Sequence, residues 1–148
     1  MQSEYRILRV VSKLLVPFIL LFALYVQFHG DYGPGGGFQA GVIFAAGIIL
    51  YGLVFGLKRA QQVLPLALML RLVPLGVLLY AGVGAVNMLN GGNFLDYDTI
   101  DPHHPVHGQH LGILLVELGV GITVTAVMVC IFYAFAGRGV GAAGEGDA

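Results

Sequence analysis

Four long apolar runs, separated by short stretches that gather nearly all the charge, set the pattern of this chain. Leu14–Phe28 carries no charged residue, and its apolar character extends back to Ile7. Phe38–Leu57 is twenty residues without a charge. Leu72–Phe94 is equally free of charge, with Leu66–Leu70 ahead of it across Arg71. Leu111–Phe135 holds a single acidic residue, Glu117. A bilayer-spanning helix needs about 20 mostly apolar residues. The pattern therefore predicts four transmembrane helices, at about 8–28, 38–57, 68–89 and 110–135. Arg6, Arg9 and Lys13 open the first run as they would a signal peptide. The run is long, however, and no small-x-small cleavage site follows at Gln27–His29, so it is expected to stay as a helix. The expected fold is an all-α integral membrane protein. One four-helix membrane domain covers 1–137, and a flexible Gly/Ala-rich tail covers 138–148.

The polar positions orient these helices. Arg6, Arg9, Lys13, Lys58, Arg59, Arg71 and Arg138 all fall at one end of the predicted bundle. The 29–37 and 90–109 loops contain neither Lys nor Arg. Basic loops stay cytoplasmic, so both termini are expected inside, with Asp31, Asp96, Asp98 and Asp101 outside. Composition sharpens the class: 57% of residues are hydrophobic and 10% charged, against about 25% charged in soluble domains. That excludes a soluble or disordered chain. A net charge of −1 offers nucleic acid no basic surface. Cys130 stands alone, which excludes an internal disulfide and a Cys-based zinc or iron–sulfur site.

Several of the 23 glycines follow small-xxx-small spacing: Gly37, Gly41 and Ala45, then Gly52 and Gly56, then Gly108 and Gly112. Small residues let helix backbones approach closely in lipid; packing within the chain and packing on other subunits both fit. Glu117 is the first candidate for chemistry, because an ionisable group inside a span is costly and usually faces protein or water. It lies about seven positions, or ~10 Å, inside the predicted outer end. His110 stands seven residues earlier, on nearly the same face. One reading makes Glu117 a proton- or cation-exchanging carboxylate with His110 as a relay; the other makes it a protonated acid bonded to a neighbouring helix.

In His29–Gly41 the glycines and Pro34 forbid a regular helix ahead of residue 38. Glycine-rich backbone leading into a helix can hold an anion. The segment lacks the Lys-Ser/Thr ending of a phosphate loop, so a tight connection allowing close helix approach is the main expectation. His103, His104, His107 and His110 surround Pro105, whose position argues against a helix bearing a metal site. Tyr25, Gln27, Gln39 and Asn87 are read as structural. Thr123 and Thr125 can satisfy their own helix backbone, and Arg71 can snorkel to the interface.

Pro17-Phe18 through Gly56, including the Gly30–Gly41 element, resembles the B-type member of the Mrp (Mnh) multisubunit Na+/H+ antiporters. Gly108–Val124 resembles the last helix of the same family. Carried over by position, Gly35, Gly36, Gly37, Phe38, Gln39 and Gly41 match one motif, and His110, Gly112, Glu117 and Gly119 the other. The resemblance implies a non-autonomous, non-enzymatic membrane component of a sodium/proton exchanger in the prokaryotic cell membrane, without cofactor. Its implied partners are subunits of the A, C, D, E, F and G types, the lipid, and Na+ and H+ as transported ions. It also implies that this component is needed for assembly. The competing reading is a self-contained small cation/proton transporter, a homo-oligomer built around Glu117. A haem or copper protein would want histidines facing each other within helices, whereas here they cluster on one loop.

Overall fold

The computed structural model describes residues 2–142, with side chains described for 5–138. The described residues form helices joined by turns: α1 Gln2–His29, α2 Gly37–Phe55, α3 Leu57–Val63, α4 Leu66–Leu89, a 3₁₀ turn at Tyr97–Thr99, and α5 Pro105–Ala142. Four of them are long and apolar enough to cross a membrane: Tyr5–His29, Gly37–Phe55, Leu66–Leu89 and Pro105–Arg138. These are the four predicted spans, and two differences from the expected boundaries matter. α5 starts at Pro105, not at residue 110, because proline is well suited to the first position of a helix, where its missing N–H is not needed. The short helix α3 stands where the pattern predicts a simple connection. Of the predicted tail, residues 138–142 continue α5, and 143–148 lie outside the described residues.

Packing order differs from chain order. α1 packs along α2, α2 along α5, and α5 along α4. Glycine permits the close crossings. A Cβ on Gly119 would stand 2.7 Å from the Gly76 carbonyl oxygen between α4 and α5. The buried core gathers Ala45 and Ile48 of α2, Ala60 of α3, Met69 of α4, and Ala126, Val129 and Tyr133 of α5. The Tyr133 hydroxyl donates to the Leu64 carbonyl at 3.0 Å, tying α5 to the α3–α4 turn. Arg9, Lys13 and Arg59 line one cavity at this same end.

The opposite end is closed by the 90–104 segment. The Asn87 side chain is fully buried, and its Oδ1 accepts from the Thr99 hydroxyl at 3.3 Å. Asn90 Nδ2 donates to the Thr99 carbonyl at 3.1 Å, and Gln109 Nε2 donates to Asp98 at 2.8 Å. Phe94 packs against Gly84 and meets the Tyr80 ring edge-on.

Candidate functional site

The α1–α2 turn is the structural centre of the site. Tyr32 and Gly33 donate their N–H groups to the His29 carbonyl at 3.0 and 3.1 Å, and Gly36 donates to the Val26 carbonyl at 3.2 Å. Gly36 caps α2 with φ 112° and ψ 178°, a backbone region essentially reserved for glycine.

Glu117 reaches into this turn from α5. A Cβ on Gly30 would lie 2.5 and 2.6 Å from the two Glu117 carboxylate oxygens, and a Cβ on Gly36 would lie 3.0 Å from Oε1. Gly37 packs on the Glu117 backbone so tightly that a Cβ would overlap the carbonyl oxygen. One turn further, a Cβ on Gly41 would lie 2.8 Å from the Gly121 carbonyl oxygen. There the Thr125 hydroxyl donates to the Gly41 carbonyl at 3.1 Å. Thr125 therefore bridges to α2 instead of bonding its own helix. Thr123 does bond its own helix, donating to the Gly119 carbonyl at 2.9 Å.

The two sequence motifs thus form one site, with an acid of α5 seated among glycines of the α1–α2 turn. The Glu117 carboxyl group lies beside the N-terminal end of α2. Gly36, Gly37 and Gly41 are buried in the contact, and Gly35 packs on the Val26 carbonyl. Phe38 and Gln39 of the same motif are exposed.

His110 is paired with Asp31, not with Glu117: its Nδ1 meets the Asp31 carboxylate, and its ring stacks on Tyr32 at 6.0 Å. Asp31 follows Gly30 directly and lies within electrostatic reach of Glu117. Tyr97 closes another side, its ring lying over Gly112. Burial raises the Tyr97 phenol above the ordinary tyrosine range, and Tyr80 and the Glu117 carboxylate add to the effect. Asp31 and Tyr97 carry no spacing signal that could have found them. Glu117 itself lies twelve residues beyond Pro105, or about 18 Å along the helix.

Gln27, read from sequence as structural, is buried beside the same crossing. A Cβ on Gly121 would lie 2.6 Å from its Oε1, and its Nε2 has no hydrogen-bond partner among the described residues. Gln27 and Thr125 are the polar residues lining an otherwise apolar cavity of about 210 Å³. His104 and His107 stand apart, each facing Asp101 at 3.8 Å and exposed. Among the described residues no group of three His, Cys, Asp or Glu side chains is arranged to hold a metal ion.

Residues 7–130 match the profile of a family described as a domain related to the MnhB subunit of the Na+/H+ antiporter. A protein of Staphylococcus haemolyticus (strain JCSC1435), provisionally named antiporter subunit mnhB2, is 36% identical over 139 residues, covering 93% of this chain and 98% of its own. Its namesake in Staphylococcus aureus (strain Newman) is 34% identical with the same coverage.

Proposed function

The chain belongs to the family of domains related to the MnhB subunit of the Na+/H+ antiporter, the B-type family of the Mrp (Mnh) complexes, and from that premise we propose that it is a multi-pass plasma-membrane subunit of such an antiporter. It works with subunits of the A, C, D, E, F and G types, is needed for their assembly, and takes part in transport rather than enzymatic catalysis. Glu117 contributes to the ion or proton path, with Asp31 and His110 leading from it toward the outer side.

One observation carries this reading: the Glu117 carboxylate stands at the crossing of α1, α2 and α5, among glycines that leave it room, below the Asp31–His110 pair. A carboxylate inside a span faces protein or water and marks an ion pathway by default. The gathering of basic residues at the other end supports cytoplasmic termini.

The decisive variant is Glu117→Gln, which keeps size and most hydrogen bonding but removes the titratable proton. The complex is expected to assemble normally and to lose antiport, or to shift its pH dependence, in inverted vesicles with complex amount controlled. A wild-type rate and pH profile would leave Glu117 as a structural hydrogen-bonding residue. Purification through a tag on this chain tests the rest: several unlike membrane proteins should accompany it. A pure homo-oligomer that exchanges sodium alone would establish the self-contained transporter instead.

A further inference from the structure

The end of the bundle away from Glu117 holds a site that the transport reading does not use. Arg9 and Lys13 are four residues apart on α1, hence on one face. Arg59 comes from α3, after the chain has turned at Gly56 with φ 96°. Together with Val10, Tyr51 and Phe55, these three cations line a single cavity of about 420 Å³. Lys13 Nζ lies 5.9 Å from the centre of the Phe55 ring, and that ring packs on Tyr51 at 4.8 Å. Two separate segments thus direct positive charge into one space with an aromatic wall.

The convergence is more than a by-product of a basic end. Arg6, Lys58, Arg71 and Arg138 share that end and do not line the cavity. Among the residues whose side chains are described, the acids are Asp31, Asp96, Asp98, Asp101 and Glu117, all in the opposite half. Like charges gathered in one cavity repel unless an anion lies between them. Depth indicates the anion's source. Lys13 is the last charge before the Leu14–Phe28 run, and Phe55 is the last residue of α2. The cavity therefore lies where spans begin and end, at head-group level.

We infer that this cavity binds the phosphodiester head group of an anionic phospholipid. Arg9, Lys13 and Arg59 contact the phosphate oxygens, and Tyr51 and Phe55 pack against the glycerol and upper acyl carbons. Basic pockets between transmembrane helices hold anionic head groups in this manner, and the arginine fork matches phosphate geometry. Inorganic phosphate shares the charge but cannot use the apolar wall.

The test uses the full-length tagged chain, purified with whatever subunits it carries, depleted of lipid, and titrated with phosphatidylglycerol, phosphatidylcholine or inorganic phosphate. Phosphatidylglycerol is expected to raise the thermal unfolding midpoint saturably, and the other two to leave it unchanged. Arg9→Gln, Lys13→Gln and Arg59→Gln should each weaken half-saturation about fivefold, the effect of one basic residue near an anionic head group. Arg71→Gln and Arg138→Gln should match wild type. Should a glutamine variant fail to fold, Arg59→Lys keeps the charge and loses the fork, and it should retain less co-purified phosphatidylglycerol per chain. Equal stabilisation by phosphatidylcholine, the full effect from inorganic phosphate, or unchanged phosphatidylglycerol binding in the cavity variants would overturn the assignment.

Discussion

At Gly30 and Gly36 the missing side chain is what admits Glu117. Gly36→Ala should cost about 1–3 kcal/mol through its backbone region alone, and its Cβ would also meet Oε1. Gly30→Ala adds no positive-φ strain, but its Cβ would stand 2.7 Å from the Gly36 Cα as well as against both carboxylate oxygens, so turn backbone and carboxylate must both shift. It should therefore lower the unfolding midpoint and impair antiport together, both measured on one preparation. Gly82 is the control. Nothing lies within 4 Å of a Cβ there, so Gly82→Ala should be neutral or stabilise by up to ~1 kcal/mol. Tyr97 makes a pH prediction. Its raised phenol keeps its full contribution below the ordinary tyrosine value of about 10 and loses it as pH rises through the shifted value. Thermal unfolding should therefore show an alkaline loss that Tyr97→Phe diminishes, with the two proteins alike near neutral pH. Glu117 and the glycines were legible as unusual residues. Their union was not, since no local spacing connects the α1–α2 turn with α5.

Helices obey a different division. Their number followed from apolar length, but their ends did not, because hydropathy reports the bilayer and not where a helix stops. α5 runs on beyond the apolar stretch at both ends, and α3 lies at the basic end without a span of its own. Between α2 and α5 the Thr125 hydroxyl replaces an intrahelical bond with an interhelical one. Thr125→Val should cost about 0.5–1.5 kcal/mol, lowering the unfolding midpoint without abolishing assembly. Gly56 joins α2 to α3 in another glycine-only conformation, φ 96° and ψ 150°, with open space around a Cβ. Gly56→Ala should therefore destabilise by strain alone, again about 1–3 kcal/mol, and should loosen the cationic cavity by moving Arg59.

For the molecule as a whole, the packing order α1–α2–α5–α4 places the outer α1–α2 turn against the last helix. Reporter fusions after Arg59 and Arg138 should read cytoplasm, and one between Asp96 and Asp101 the exterior; a cytoplasmic signal from that loop would reverse the topology. Membrane class, the count of spans, the gathering of basic residues at one end and the family are all legible along the chain. The reason is that each span satisfies its backbone internally and meets lipid through its own side chains, so these features need no knowledge of neighbours. Which helices touch, that Glu117 sits among the turn glycines, that His110 pairs with Asp31, and that Arg9, Lys13 and Arg59 share one cavity emerge only in the packed bundle. Small residues allow close approach on several helix faces but do not choose the partner, and that choice is made when the helices pack.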